Sequence, residues 1–376
     1  MSTHFEGNNH MTTKIGIISD SYNVNNTALV VPAAILIEGK GAGSTDEGQA
    51  LAWIAKREDP NASFSFAGWD RTQPLTNLDA QLANDIYTLA MSGCRVIVDD
   101  ISFSPETQSS LTWQAITTVT NAGCTYVSAA GNSQVTVHAT NPAAIDIGAH
   151  NVASTAPESY SPSSPAVDYL ASDGITLPSK WYGQTFNGTS CAAGDAAGVV
   201  AEMIDINPNL VDSTIKWLLN VSSDSPQLFL TATPSDQCGF GNINAARATA
   251  LAVRLPGQTT GINGEVERIY QACSSRVADA SGLAYWSSVM AGGASTAAVC
   301  NYFTQGAEFT GRYGNPDPAT LVRVMYHNVL GRNADAGGLS YWSNLIASGV
   351  SKGTVMGAFV DSPEFIADFQ AVHGYS

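Results

Sequence analysis

Gln184-Thr185-Phe186-Asn187-Gly188-Thr189-Ser190-Cys191-Ala192-Ala193 is the stretch whose reading decides the fold. Gly-Thr-Ser followed by small residues reads as a tight turn opening a buried helix, with Ser190 at its mouth. Backbone N–H groups and the positive end of the helix dipole gather there. They would face the oxyanion formed if the hydroxyl attacked a carbonyl. Thr and Ser also cap many helices for structural reasons alone. The stretch therefore gains its meaning from three others.

Lys14-Ile15-Gly16-Ile17-Ile18-Ser19-Asp20-Ser21 is a short apolar strand ending in a carboxylate. In open parallel sheets, functional groups gather at the carboxyl ends of strands. Tyr126-Val127-Ser128-Ala129-Ala130-Gly131-Asn132-Ser133 is a second strand, closing on a side-chain amide able to hold an oxyanion. Cys238-Gly239-Phe240-Gly241-Asn242-Ile243-Asn244-Ala245-Ala246 is a turn opening a last small-residue helix.

In this order the four segments resemble the subtilisin-like serine proteases, over about residues 13–253. The resemblance implies an α/β, doubly wound, mostly parallel sheet. It also implies Asp20 as triad acid, Ser190 as nucleophile and Asn132 as oxyanion donor. The substrate-pocket walls it implies are Ser102-Phe103 and Ser128-Ala129-Ala130.

The chain departs from that pattern at the base. Where the family carries His-Gly, this chain has Glu47-Gly48, and none of its six histidines (His4, His10, His138, His150, His327, His373) fits the slot. His138 and His150 read as solvated loop or strand-end residues. Ser44-x-x-Glu47 is also a capping box, in which Glu reaches back to the cap N–H. Register against the other motifs favours an active-site place for Glu47. A carboxylate can take a serine proton if a neighbouring acid raises its pKa.

A glutamate beside serine also resembles the sedolisins, in part. Their second carboxylate falls one helical turn on, where this chain has Leu51, and they use Asp where it keeps Asn132. In Arg95-Val96-Ile97-Val98-Asp99-Asp100-Ile101, alternation lets only one of the two acids face the cleft. The alignment favours Asp100 as an additional acid, and an Asp pair capping a turn is the other reading.

Leu78–Met91 and Leu111–Asn121 read as helices preceding strands at 95–101 and 125–130, the alternation of a doubly wound sheet. A helix is expected from Ser190 to about Ile206. Pro32 demotes part of Leu29–Ile37 to a loop or sheet edge. Ser154–Ser179, with Pro157, Pro162, Pro165 and Pro178, reads as a long loop wrapping the site.

Domain organisation is expected as a tail at 1–12, a peptidase domain at 13–253, a turn-rich linker at 254–263 and an all-α domain at 264–376. The last contains two repeats, about 264–314 and 320–370. Arg276-x-x-Asp279-x-x-Gly282-Leu283-x-Tyr285-Trp286 returns as Arg332-x-x-Asp335-x-x-Gly338-Leu339-x-Tyr341-Trp342, at an offset of 56. Each repeat reads as three short helices, the Asp capping the second. Tyr285/Trp286 and Tyr341/Trp342 read as core rather than as a sugar platform. The repeats resemble a small helical domain of unknown function from secreted bacterial adhesins, S-layer-type proteins and toxins, which implies a surface context.

The formal charge of −16 argues against nucleic acid or anionic membrane as partner. No apolar run is long enough to span a bilayer. Met1–Thr13 is polar, without a signal-peptide core. A peptide or protein substrate, a secreted or cell-surface bacterial location and attachment to a surface component through the repeats are expected. No cofactor and no metal ligand set are expected, and a structural calcium would have no site legible in the sequence. Among six cysteines, Cys273 with Cys300 and Cys94 with Cys124 are candidate disulfide pairs, buried free thiols being the alternative. Cys191 reads as a small core residue. Two functions follow: an acid-active serine endopeptidase using Ser190 and Glu47, or a catalytically silent subtilase fold kept for adhesion or surface assembly.

Overall fold

The computed structural model describes residues 12–19, 35–38, 47–68, 74–101, 110–153, 156–177, 185–224 and 239–374. It divides into two compact units, Met1–Asp212 and Ser213–Ser376. Asp20, Ser102, Phe103 and Cys238 lie outside the described residues.

Apolar and β-branched runs form the strands of the first unit. They are β1 (Lys14–Ser19), β2 (Ile35–Glu38), β3 (Ser63–Gly68), β4 (Val96–Asp99), β5 (Thr125–Ala129), β6 (Ala144–Asn151) and β7 (Tyr169–Asp173). They make one sheet in the order β2-β3-β1-β4-β5-β6-β7, every neighbouring pair parallel. Almost every described strand residue is buried, as a parallel sheet covered on both faces requires.

The two faces can be told apart by alternation. On one, Ile18, Ala67, Ile97, Tyr126 and Ala144 pack with Leu82, Ile86, Ile116 and Val119 of α2 (Leu75–Met91) and α3 (Leu111–Asn121). Ser110 starts α3 by accepting from the Trp113 N–H at 3.1 Å. The other face carries α1 (Glu47–Glu58) and α4 (Thr189–Ile206). A two-stranded antiparallel hairpin, β8 (Ile175–Thr176) with β9 (Thr185–Phe186), leads into α4.

Three differences from the sequence reading concern this unit. Part of 154–179 is strand and not loop: β7 and β8 lie within it. Their shortness and nearby prolines hid them. His138 is not solvated. It is fully enclosed in a 3-10 turn (His138–Thr140), with Nε2 3.0 Å from Asp99 Oδ1. The five described cysteines, Cys94, Cys124, Cys191, Cys273 and Cys300, are all buried free thiols. Cys124 donates to the Cys94 carbonyl at 3.2 Å instead of bonding its sulfur. Cys273 lies in hydrogen-bonding contact with Cys300, and that contact and burial push its thiol well up.

The second unit begins with α5 (Asp212–Ser222) and α6 (Ala245–Leu251). The boundary falls before the expected 254–263 linker because α5 is tied to the repeats. Trp217 packs on Phe365 at 6.2 Å, and Asn220 donates to the Gly331 carbonyl at 2.7 Å. Leu255 N–H donates to the His373 carbonyl at 3.2 Å, so the turn-rich stretch is itself docked.

Each repeat has four helices, not three. The first has α7 (Gly261–Ser274), α8 (Ala280–Ala291), α9 (Thr296–Gln305) and α10 (Ala307–Tyr313). The second has α11 (Pro318–Leu330), α12 (Ala336–Ala347), α13 (Lys352–Val360) and α14 (Pro363–His373). Extended backbone at Gly306, with φ −68° and ψ 156°, splits what reads as one helix.

The repeated polar residues organise each unit's corner. Asp279 and Asp335 cap their helices, accepting from Gly282 N at 2.9 Å and Gly338 N at 2.8 Å. Arg276 lies over Tyr270 and pairs with Glu308 through two nitrogens, as Arg332 does with Tyr326 and Glu364. Tyr285 and Tyr341 are not core: they are 62% and 59% exposed. The half-buried Trp286 and Trp342 take the inward side, against Phe303 and Phe359. No helix among the described residues is long and apolar enough to cross a membrane.

Candidate active site

Small residues decide how α1 and α4 meet. A Cβ added at Gly194 would come within 3.3 Å of Leu51 Cα, and one at Gly198 within 2.8 Å of Ala55 Cα. The two backbones therefore touch, and the contacts advance four residues on both helices together. The helices run parallel in fixed register. Glu47 and Ser190 each lie four residues before these contacts, in the first turns of the two helices. Gly198→Ala is expected to destabilise by about 1–3 kcal/mol through overpacking and to lower activity by splaying α1 from α4. Denaturant unfolding beside an activity assay checks both.

Ser190 is the second residue of α4 and 7% exposed. Its helix is capped by Gly188, which has no side chain to bond the first turn. Gly188 sits at φ +118°, a conformation that favours glycine, and the Asn132 amide lies 3.3 Å from where a Cβ would be. Asn132 Oδ1 accepts from Thr189 N at 2.9 Å and from the Thr189 hydroxyl at 3.3 Å. The Gly131 N–H in turn donates to that hydroxyl at 3.0 Å. A backbone N–H can only donate, so the atom it meets must be the amide oxygen. The Asn132 NH2 is then the end able to donate to an oxyanion, beside the mouth of α4.

Asp99 and Asp100 part as alternation requires. Asp99 faces α3 and holds His138, and its backbone register runs through Ser128 to Asp146. Asp100 is half-buried, and the Ser19 hydroxyl donates to its Oδ2 at 2.9 Å at the end of β1. Ser19 alternates with Ile18 and so faces the α1 and α4 side. Ser128 is fully buried on the far face between Asp99 and Asp146, so its side chain is no cleft wall. Ala129 and Ala130 are buried as well, at 4% and 0% exposed.

The described histidines of this unit do not supply the missing base. His138 is held by Asp99 on the face away from α4. His150 shares a face of β6 with Ala144, again away from α4, and burial lowers its pKa. Among the described residues no group of three or more His, Cys, Asp or Glu side chains is set to hold a metal ion.

Sequence reasoning missed the acids around this framework. Burial is the first cause lifting Asp173 to about 6 and Asp195 to about 7, with Glu158 and Glu58 respectively adding repulsion. Asp146, fully enclosed, is held well above the usual carboxylate range by burial and then by Asp168. These groups keep their protons to higher pH in the folded chain than in the unfolded one. Folding therefore takes up protons between the ordinary carboxylate range and pH 6–7. Their stabilising effect is complete below about pH 4 and is lost as pH rises through 6 to 7. A melting temperature that falls from pH 5 to pH 8 is expected, and one that rises would contradict it.

Residues 300–369 match a domain of unknown function (DUF4214). No curated protein is matched. Among solved structures, the fold is similar to the prenylagaramide maturation protease PagA, at 17% identity and a TM-score of 0.54, covering 63% of this chain and 92% of that one. It is similar to the self-cleaved protease domain of PatA, at 19% identity and a TM-score of 0.53, covering 64% and 96%. It is also similar to fervidolysin from Fervidobacterium pennivorans, at 18% identity and a TM-score of 0.53, covering 64% of this chain and 42% of that one. Residues 9–241, more than half of the chain, match the subtilase family, and the chain belongs to that family of serine peptidases.

Proposed function

We propose that the chain is a secreted, acid-active endopeptidase in which Ser190 is the nucleophile and Glu47 the general base. The observation that carries this reading is the parallel register of α1 and α4 at Leu51–Gly194 and Ala55–Gly198. Ser190 Oγ attacks the scissile carbonyl carbon as its proton passes to the Glu47 carboxylate. The oxyanion is met by the Asn132 NH2 and the Ser190 N–H. Collapse breaks the C–N bond, and Glu47 returns its proton to the leaving amine. Water then repeats the sequence on the acyl-enzyme. Asp20 and Asp100 act as neighbouring acids that keep the base's proton affinity high. Ala129 and Ala130 contribute cleft wall with Ser102 and Phe103.

In this reading the repeats attach the protein to a surface component. Exposed Tyr285 and Tyr341, on helices without a charged residue, support such an attachment.

A second reading has its own support. With His138 and His150 facing away from α4, the fold serves as a silent scaffold for surface assembly. A serine-directed fluorophosphonate, applied across pH 3 to 9, separates the two. Labelling that maps to Ser190 supports the enzyme, and no labelling at any pH supports the scaffold.

A further inference from the structure

We propose that Asp173 and Tyr160 form a positioning pair that clamps the Gly188 amide and thereby sets the turn carrying Ser190 and its oxyanion donor. The proposal rests on the reading of Ser190 as nucleophile and adds to it a control of that same site.

Asp173 ends β7, and Gly188 lies two residues beyond β9. Their side-chain-to-backbone bond closes the base of the hairpin that delivers α4. The Gly188 N–H is shared between Tyr160 Oη at 3.1 Å and Asp173 Oδ2 at 3.3 Å. The Tyr160 hydroxyl donates to the same carboxylate oxygen. One carboxylate oxygen thus gathers two donors at the residue that caps the nucleophile helix.

Movement at Gly188 would be felt at once by the site. Thr189 follows it and bonds Asn132 at 2.9 Å, while the Asn132 amide packs directly on Gly188. A shift of the cap therefore moves the oxyanion donor and Ser190 together. Placement errors of about 1 Å can cost about a hundredfold in rate.

The cost of this arrangement argues that it has a use. Asp173 is 1% exposed, and its Oδ1 has no hydrogen-bond partner among the described residues. A neutral acceptor would close the hairpin without burying a charge. Glu158 and Tyr160 from the segment after β6, and Cys191 from α4, are the titratable groups that act on it. Burial raises its pKa to about 6. Above that value the ionised oxygen accepts from both donors. Below it, a proton on the carboxyl weakens its hold on them and the clamp loosens. The acid limb of Ser190 reactivity therefore contains a step near pH 6, separate from ionisation of the base.

The test is the rate of fluorophosphonate labelling of the full chain between pH 4 and 9, with Ser190→Ala as the control for site. Asp173→Asn is expected to slow maximal labelling about ten- to a hundredfold with little change in reagent affinity, and to abolish the step near pH 6. Tyr160→Phe leaves the carboxylate in place and is expected to slow labelling less and to move that step. Asp173→Glu should recover part of the rate and retain a step. Wild-type rate and pH profile in Asp173→Asn would overturn the proposal and leave the nucleophile assignment standing. If Asp173→Asn does not fold, an unchanged rate and profile in Tyr160→Phe overturns it equally. A wild-type protein not labelled at Ser190 would overturn both.

Discussion

Ser190→Ala is expected to reduce peptide hydrolysis to background, a loss of at least about 10³-fold, and to leave the melting temperature near that of the wild type. The hydroxyl sits at the second position of α4, whose N-cap is Gly188. Its removal costs little packing, since Ala fits wherever Ser does and is the better helix former. The chemical loss is large because alanine has no atom able to form the acyl bond. Mass spectrometry of the fluorophosphonate-treated protein gives the same answer without a known substrate. A Ser190→Ala protein that still turns over peptide would remove the nucleophile from this position.

Glu47→Gln should cost about 10²–10⁴-fold in kcat, with a modest effect on stability. Glutamine keeps the size and hydrogen-bonding reach of the side chain and loses only the capacity to take a proton. The competing role is legible in the same residue, because Glu47 is the first residue of α1 and could serve only as part of its cap. Loss of a cap costs about 0.5–2 kcal/mol of stability and no catalysis. Full activity with a lowered melting temperature would identify a cap. Loss of activity with an unchanged melting temperature would identify a base.

Much of the first unit was legible because its signals are local. The spacing in Leu111–Asn121 and the Gly-Thr-Ser turn before small residues name their own elements. Strands β6 and β7 were not legible. Ala144–Asn151 holds charged and small residues, and Tyr169–Asp173 lies among prolines. Their strand character comes from pairing with neighbours, a tertiary effect that outweighs propensity.

The alternation rule separated Asp99 from Asp100, but it could not reveal that Asp99 is matched to a buried His138 thirty-nine positions on. That match depends on where a 3-10 turn folds back over the sheet. The parallel register of α1 and α4 was equally hidden, since Gly194 and Gly198 declare their purpose only once Leu51 and Ala55 lie against them. In the second unit the duplication showed which residues matter but not which way they face. Tyr285 and Tyr341 share the helical period of a core face, yet Trp286 and Trp342 take the inward positions.

The central claim is that a carboxylate at position 47 takes the proton of Ser190, and exchanging the base tests it most directly. The pH dependence of Ser190 labelling is measured in the wild type and in Glu47→His. Histidine ordinarily titrates near 6.5 and glutamate near 4.3, and either must be deprotonated to act. The account predicts that Glu47→His remains reactive and that its rising limb moves to higher pH. The same limb at the same pH in both proteins would contradict it, because the group that controls Ser190 would then lie elsewhere.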